Sequence, residues 1–324
     1  MITGIGLLSG GLDSMLSIRV LQDQGIHIIA VSFITPFFGF AKAKKASEML
    51  GVELRIIDIS DIHLNVVRSP KHGYGKTMNP CIDCHTLMFH TAGKLMEAEK
   101  ADFLFSGEVL GERPMSQNLR SLMIVSKESG YEDYIVRPLS AKLLPETLPE
   151  KQGKVDRERL LRLSGRSRKP QIELAKHYGI TQYAQPAGGC LLTDPAYSHK
   201  LKEMMENEPD FEKRDIELLS IGRHFRLETG EKIIVGRNQN DNERLLAIKN
   251  DDDVVIDIED YPAPIAMIPK SGSEKAIAIA GSISALYSDA PKDSNVNIVY
   301  YYKGMSNTLS VQPFPKEEID KIRI

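Results

Sequence analysis

The first feature with chemical potential is a polar turn near the start of the chain. Residues 9–14 read Ser-Gly-Gly-Leu-Asp-Ser and stand between two apolar stretches. Where a strand enters such a turn and a helix leaves it, the first amides of the helix lack partners and favour an anion. Gly10 and Gly11 let the backbone approach phosphate oxygens, and the hydroxyls of Ser9 and Ser14 add donors. The turn therefore predicts a phosphate-binding site.

Asp13 brings a negative charge into the same turn. We expect it to act through a divalent cation, Mg2+, or as a structural hydrogen-bond acceptor. No Gly-Lys-Ser/Thr follows, which excludes a Walker loop, and the glycine spacing does not fit the dinucleotide fingerprint. The alternative is an ordinary strand–helix turn in which a serine or the aspartate caps the helix.

The second feature is the set of three cysteines, Cys81, Cys84 and Cys190. The first two form a Cys-x-x-Cys motif, whose spacing lets two thiolates face one metal or cluster. The third stands over a hundred residues later in a Gly-Gly loop. Together they suggest three ligands of a 4Fe-4S cluster whose open iron holds a sulfide nucleophile.

Other interpretations of the cysteines stay open. They include persulfide chemistry without a metal and inert buried thiols. A structural zinc is the remaining alternative, and its fourth ligand would be one of three histidines, His63, His72 or His85.

Alternating strand-like and helix-like segments must position these residues. The opening of the chain predicts a strand at 2–9, a helix from 12 to Gly25, a strand at 26–34, a helix at 40–50 and a strand at 52–60. This order is typical of an α/β fold with a parallel sheet and helices on both faces. The pattern resumes with a helix at 85–99, strands at 101–109 and 133–139, and a helix at 169–180, whereas 61–80 resembles a polar loop.

A change of pattern near residue 196 predicts two domains, 1–196 and 197–324. The second begins with two charged helices at 197–221. Short strands at 231–236, 253–258 and 296–302 then alternate with helical segments near 241–249 and 273–287. We expect a smaller α+β domain here.

The composition limits the classes of function that this chain can have. The 324 residues are 42% hydrophobic with a formal net charge of -3, so a nucleic-acid surface would have to be local. The N-terminus lacks a basic region followed by an apolar core, which excludes a signal peptide, and no apolar run reaches the ~20 residues of a membrane span. We therefore expect a cytoplasmic protein.

The motif at residues 9–14 resembles the S-G-G-x-D-S signature of the PP-loop ATP pyrophosphatases. The resemblance implies a flavodoxin-like (HUP) sheet that binds ATP and cleaves it to AMP and pyrophosphate. The segment Asn79-Pro80 followed by cysteine resembles the tRNA thiouridine synthetase branch. Cys81 stands where the 2-thiouridylases commonly have aspartate, so the chain is more similar to the cluster-dependent thiolases. This departure leaves open which uridine carbonyl is thiolated.

Two further segments resemble the same superfamily and imply a nucleotide site. The stretch 106–119 follows a strand end, where α/β sheets place ligands, and 164–180 opens a helix with Lys-Pro. The implied ATP ligands outside the first turn are Gly107, Glu108, Arg113, Ser116, Gln117 and Lys169. A solvated polar loop is the alternative for 106–119.

Three segments are candidates for RNA contact. One is the basic stretch Arg157, Arg159, Arg162, Arg166, Arg168 and Lys169, and another is the loop 68–76 with Arg68, Lys71, His72 and Lys76. A solvated helix face is the alternative for the first. The third is residues 228–248, which resemble the NFACT-R RNA-binding module. That resemblance implies a ligand face at Gly236, Arg237 and Asn238, with a turn and a helix cap from Asn240 or Asp241 as the alternative.

The resemblances together imply an ATP-dependent sulfurtransferase that adenylates a tRNA uridine carbonyl and replaces the oxygen with sulfur. Its catalytic residues would be Asp13, Cys81, Cys84 and Cys190. The implied partners are tRNA and a sulfur donor, either a cysteine desulfurase or free sulfide, and a homodimer is left open. The alternatives are an amide- or nitrile-forming PP-loop ligase with structural zinc and a non-catalytic RNA-binding factor that senses nucleotide.

Overall fold

The computed structural model describes residues 1–184 and 189–324. The chain divides into two compact units, Met1–Asp194 and Pro195–Ile324. The first unit contains, in chain order, β1 (Thr3–Leu7), α1 (Leu12–Gln22), β2 (His27–Ile34), α2 (Ala41–Leu50), β3 (Glu53–Asp58), α3 (Ser60–Arg68), α4 (Cys81–Ala98), β4 (Phe103–Phe105), α5 (Leu119–Ser129), β5 (Ile135–Val136), α6 (Leu148–Lys151) and α7 (Lys169–His177).

The sheet of the first unit is parallel, with the strand order β3-β2-β1-β4-β5. One apolar core joins it to α1, α2 and α7 through residues such as Leu16, Ala46 and Ala175. A second core joins it to α4 and α5 through Phe89 and Val125. The helices therefore cover two faces, and the predicted α/β class is confirmed. The chain order reverses between β1 and β4, where open α/β sheets place their ligands.

The polar segment 61–80 differs from the prediction at its start. Residues 60–68 form α3, whose His63, Leu64 and Val67 are buried. These positions recur at the helical period, so they lie on one face and can pack although the surrounding residues are polar. The cysteine helix α4 begins at Cys81 rather than 85, and α5 was not predicted at all.

The second unit contains, in chain order, α8 (Pro195–Asn207), α9 (Lys213–Leu218), β6 (Arg223–Arg226), β7 (Lys232–Val235), α10 (Gln239–Ile248), β8 (Val254–Asp257), β9 (Ala266–Ile268), α11 (Glu274–Tyr287), β10 (Val296–Tyr302) and β11 (Met305–Val311). Its sheet is antiparallel, in the order β11-β10-β8-β9-β7-β6. Ala276, Ala280 and Ile283 of α11 pack on its core. The expected α+β arrangement is confirmed, although β6, β9 and β11 were not predicted.

A search of the described helices finds none with both the length and the apolar character that a membrane crossing requires.

Candidate functional site

The Ser-Gly-Gly turn lies between β1 and α1, as predicted. Gly10 has a φ of +77° and its missing side chain makes room for α2, because a Cβ there would lie 2.5 Å from the Lys42 carbonyl. Gly11 is the N-cap of α1 and supplies no side-chain cap. The first amides of α1 therefore keep their hydrogen-bonding capacity for an anion.

The two serines of the turn lie beside each other. Their Oγ atoms are 3.3 Å apart, and Gly11 N donates to Ser9 Oγ. Ser14 Oγ donates to Gly11 O at 2.8 Å. The exposed Ser9 hydroxyl and the α1 amides together form a set of donors at one point. Such a set can hold phosphate oxygens.

The end of β4 closes against the same helix start. A Cβ on Gly107 would lie 2.4 Å from the backbone carbonyl of Asp13 and 2.5 Å from Ser14 N. Only glycine allows this approach, because real Cβ atoms do not come so close to backbone. Gly107 therefore joins the segment after β4 to the phosphate-binding turn.

Asp13 faces a cluster of charged and amide groups that are poorly paired. Burial raises the pKa of Asp13 despite the charge of Arg168, whose guanidinium lies 3.8 Å away. Burial and the charge of Asp13 also raise the pKa of Glu112. Asp13 Oδ1, Arg168 Nε and Gln171 Oε1 are buried without hydrogen-bond partners among the described residues. Two crowded carboxylates and unused polar atoms fit a divalent cation with phosphate oxygens.

Glu108 lies in a buried network rather than on an open surface. It accepts hydrogen bonds from Arg137 Nε at 2.9 Å and Ser106 Oγ at 3.0 Å, and its other oxygen lies 2.8 Å from His85 Nδ1. Burial by itself would raise the pKa of Glu108, but the Arg137 charge and the His85 contact lower it to about 2. These contacts occupy the carboxylate. Glu108 therefore holds α4 and the end of β5 in position.

The other implied nucleotide ligands fall into two groups. Arg113 and Lys169 are exposed, and Lys169 is the first residue of α7. Ser116 and Gln117 are buried, and Gln117 Oε1 has no partner among the described residues. Arg168 and Gln171, beside Asp13, were not predicted as ligands. The only feature of the sequence that could have indicated them is the basic Lys-Pro start of α7.

The three cysteines belong to one electrostatic neighbourhood. Burial raises the pKa of the Cys84 thiol well above its usual value, and Cys190 and Cys81 raise it further. Burial also raises the pKa of Cys190 to about 11, with a contribution from Cys81. Cys81 and Cys190 are therefore close enough to Cys84 for their charges to act on its thiol. No cation of the described residues lowers the pKa of Cys84 or Cys190, so both thiols remain protonated at neutral pH.

Two polar neighbours contact the Cys-x-x-Cys motif. Asn79 Nδ2 donates to Cys81 Sγ at 3.1 Å, and His63 Nε2 lies 3.2 Å from Cys84 Sγ. Burial lowers the pKa of His63 to about 4, so its ring is neutral. Of the histidines considered for zinc, His63 contacts a cysteine, whereas the other two contact glutamates. Among residues 1–184 and 189–324, no three His, Cys, Asp or Glu side chains are grouped as ligands of one metal ion.

Tertiary contacts bring Cys190 to the motif from a hundred residues away. Leu191 N donates to Phe37 O at 3.0 Å, and Thr77 Oγ1 donates to Leu192 O at 2.8 Å. Thr77 also bonds to the Asn79 side chain. The loop after β2 and the segment before α4 thus hold the Cys190 segment.

The same stretch of chain connects the cysteines with the phosphate-binding turn. Ala184 N donates to Gly10 O at 3.3 Å, and Ala184 forms a parallel bridge with Gly11. Cys190 follows six residues later, and six extended residues span at most about 20 Å. Part of the glycine loop before Cys190, residues 185–188, lies outside the described residues. The phosphate-binding turn and the thiols therefore lie in one region of the first unit.

The basic segments are only partly free for RNA. Arg157 pairs with Glu150, Arg159 donates to the Asp23 carbonyl, and Arg168 belongs to the Asp13 cluster. In the loop 68–76, Lys71 and His72 contact Glu128. The exposed cations without a contact within the described chain are Lys76, Arg162, Arg166 and Lys169.

In the second unit, the residues of the predicted ligand face mostly make contacts that stabilise the fold. Asn238 Oδ1 accepts from Asp241 N and caps α10, and Arg237 pairs with Asp241 at 2.6 Å. Gly236 has no room for a side chain, since a Cβ would lie 2.1 Å from Asn242 Oδ1. A cleft of about 350 Å3 opens beside these residues. Sequence reasoning missed Arg223 and Tyr287, which line it, because neither stands in the matching motif.

Comparisons with known proteins give similarities for both units. The family model described as thiamine biosynthesis protein (ThiI) matches residues 2–142, and that of the NFACT protein RNA binding domain matches residues 222–323. A tRNA-specific 2-thiouridylase MnmA of Sulfurimonas denitrificans is 31% identical over 113 residues, 32% of this chain and 33% of the relative. A probable tRNA sulfurtransferase of Oceanobacillus iheyensis is 25% identical over 142 residues, 41% and 34% of the two chains.

The chain spans about a third of the length of these curated relatives. Among solved structures, a 4-thiouridine synthetase–RNA complex with bound ATP is 22% identical, covers 66% of this chain and 52% of its own, and has a TM-score of 0.40. The C-terminal part of a fibronectin/fibrinogen-binding protein from Streptococcus suis is 14% identical, with coverage of 75% and 94% and a TM-score of 0.30. The chain is therefore similar to the ThiI family over residues 2–142 and to the NFACT protein RNA binding domain over residues 222–323.

Proposed function

We propose that this protein is an ATP-dependent tRNA sulfurtransferase. The observation that carries the proposal is the bridge of Ala184 to Gly11, six residues before Cys190. It brings the turn within six residues of Cys190, whose neighbour Leu192 contacts Thr77 before the Cys-x-x-Cys motif. A pyrophosphatase turn alone would fit many ligases, and three thiols alone would fit a structural metal. The combination favours activation by ATP followed by attack of sulfur, as do the names of the sulfurtransferase and thiouridylase relatives.

In this mechanism the turn holds the β- and γ-phosphates of ATP. The α1 amides and the Ser9 and Ser14 hydroxyls bind phosphate oxygens, and Asp13, whose Oδ1 has no partner among the described residues, would hold a Mg2+ ion that neutralises phosphate charge. Arg113 and Lys169 are exposed cations for the remaining phosphate charge. The uridine carbonyl oxygen attacks the α-phosphorus and pyrophosphate leaves. The base is then joined to AMP through that oxygen.

Sulfur transfer completes the exchange. A sulfide-level sulfur attacks the activated carbon, the carbon–oxygen bond breaks, and AMP leaves with the oxygen. Cys81, Cys84 and Cys190 would hold a 4Fe-4S cluster, which supplies a bound sulfide when present. The raised pKa values of Cys84 and Cys190 fit such a group, because a metal centre provides the positive charge that thiolates need. The chain's own residues hold the sulfur near the base and orient Cys84 through His63.

The test uses anaerobically purified protein with ATP, sulfide and tRNA from cells that lack this protein. We expect pyrophosphate release and a thiouridine in the digested tRNA, detected by mass spectrometry. Cys190→Ser should abolish the thiouridine and leave ATP binding intact. Ser14→Ala should weaken ATP binding, whereas Ser17→Ala, in the same helix but bonded to the Ser14 carbonyl, should not. Failure to release pyrophosphate with any RNA, or thiolation that survives Cys190→Ser, refutes the proposal.

Metal analysis of the same preparation separates the alternatives. Iron and acid-labile sulfide in the wild type, lost in Cys84→Ser, support the cluster. Stoichiometric zinc would favour a PP-loop ligase with a structural zinc at the cysteines.

A further inference from the structure

The cleft in the second unit has the size and the polarity of a small ligand site. Its volume of about 350 Å3 is at the lower end of the range for ligand pockets, about 300–1,000 Å3. Its walls come from the start of α10, the segment before β9 and the end of α11. The side chains that matter here are Arg223, Asn238, Gln239, Asn242, Pro264 and Tyr287.

One cation of the cleft is not neutralised. The Arg223 guanidinium lies 4.3 Å from the centre of the Tyr287 ring and donates to Gly236 O at 2.9 Å. No carboxylate of the described residues pairs with it, and none lines the cleft. Arg237, the other lining cation, is already paired with Asp241. Arg223 therefore offers a planar positive charge, the form best suited to a phosphate group.

The rest of the cleft suits a flat, partly polar ring. The segment Pro262–Pro264 forms an apolar wall, and Tyr287 is half-buried with its ring under the guanidinium. Asn242 is fixed by Ile265 N and the Ala263 carbonyl. Asn238 and Gln239 are exposed amides at the edge. Unpaired bases stack on aromatic and guanidinium planes and bond to amides along their edges.

The charge of the second unit argues against a long phosphate-binding groove. Residues 195–324 contain 17 lysines and arginines against 23 aspartates and glutamates, a formal charge of -6. A duplex is bound along its backbone by many cations, whereas this unit offers a single uncompensated one in a cleft. RNA contact in this unit therefore has to be local.

We propose that this cleft binds one unpaired nucleotide of an RNA strand, with its phosphate on Arg223 and its base between Tyr287 and the Pro262–Pro264 wall. The inference rests on the proposed function in that RNA is the partner. A free nucleotide has the same chemistry, so the test has to separate the two sources. The site would hold a flexible end or loop of the tRNA while the first unit acts on another position.

The experiment measures binding of labelled tRNA to the full chain at several salt concentrations. Arg223→Gln should weaken binding about tenfold and reduce the magnitude of the slope of log K against log salt by about 0.7, the value for one single-strand phosphate. Arg244→Gln is the matched control, since it removes the same charge from an exposed position on α10 outside the cleft. It should leave affinity within about twofold. Equal affinity and slope for wild type and Arg223→Gln would overturn the proposal.

A second pair of variants tests the same site independently, in case Arg223→Gln does not fold. Tyr287→Leu should weaken binding, and Tyr287→Phe, which keeps the ring, should not. An unstructured uridine oligonucleotide should compete with tRNA, whereas a duplex of equal length should not. Competition by the duplex, or by UMP alone without the oligonucleotide, contradicts the site as proposed. A wild-type chain that forms no thiouridine, while Arg223→Gln still weakens tRNA binding as expected, would count against the sulfurtransferase proposal and not against this one.

Discussion

Glu108→Gln tests the buried network that connects helix α4, which begins at Cys81, with the segment after β4. Glu108 is 5% exposed, and its carboxylate contacts Arg137 and His85. Its pKa falls from 4.5 to about 2, and one pKa unit corresponds to about 1.4 kcal/mol. The charged form therefore contributes about 3 kcal/mol to folding. Breaking a buried ion pair costs a similar amount, about 3–5 kcal/mol, because Arg137 would stay buried without its partner.

The pH dependence follows from the sign of this shift. Because the folded-state pKa of Glu108 is depressed, its contribution is complete above the unfolded-state pKa of 4.5. It is lost as the pH falls from there towards 2. The glutamine variant has no such group. The stability difference between wild type and Glu108→Gln should therefore be about 3 kcal/mol at pH 7 and shrink steadily below pH 4.5.

The assay is urea denaturation read by hydrogen exchange of peptides that cover β4 and β5, which reports on the first unit alone. Glu128→Gln is the matched control, because Glu128 likewise contacts one basic side chain and one histidine, Lys71 at 2.7 Å and His72 at 3.0 Å. Its pair is partly exposed, so its loss should cost less than about 1 kcal/mol. The reasoning is refuted if the two variants lower the free energy of unfolding equally. It is also refuted if the loss in Glu108→Gln is the same at pH 2 and pH 7.

Three further predictions concern both units. Gly107→Ala should destabilise the first unit by about 1–3 kcal/mol and weaken ATP binding in calorimetry, whereas Gly39→Ala, with no atom within 4 Å, should leave stability unchanged. Asn238→Ala should cost the second unit about 1 kcal/mol in thermal unfolding through loss of the α10 cap. Burial lowers the pKa of His224 well below 6.5, so the second unit should lose stability below pH 6.5, by up to about 1.4 kcal/mol per pH unit, and His224→Asn should remove this dependence.

Local patterns predicted most of the elements that position the site. The turn at residues 9–14, the helix after it and the strands at 26–34 and 52–60 follow from hydrophobic periodicity and glycine placement. The short strand β9 and the exposed strand β11 were missed because strand formation there depends on neighbouring strands rather than on local pattern. The helix α3 was missed because its buried face carries a histidine among polar residues.

The residues around Asp13 show where prediction from the sequence ended. The motif identified Asp13, but Glu112 and Arg168 come from the segment after β4 and from the start of α7. Glu108 was expected to face the nucleotide, and its actual partners, Arg137 and His85, come from β5's end and α4. A side chain's partners depend on distances across the fold, which residue types and spacing do not contain.

The sequence by itself determined a phosphate-binding turn, a paired-cysteine motif and a parallel sheet, since each depends on residues that are neighbours in the chain. The tertiary structure decided that Leu192, beside Cys190, contacts Thr77 before the cysteine motif, that Ala184 bridges to Gly11, and that Arg223 lies on Tyr287. Each of these pairs is separated by between 64 and 173 positions in the chain. Such contacts form only when strands and helices have packed, because burial of the apolar cores fixes which distant segments become neighbours.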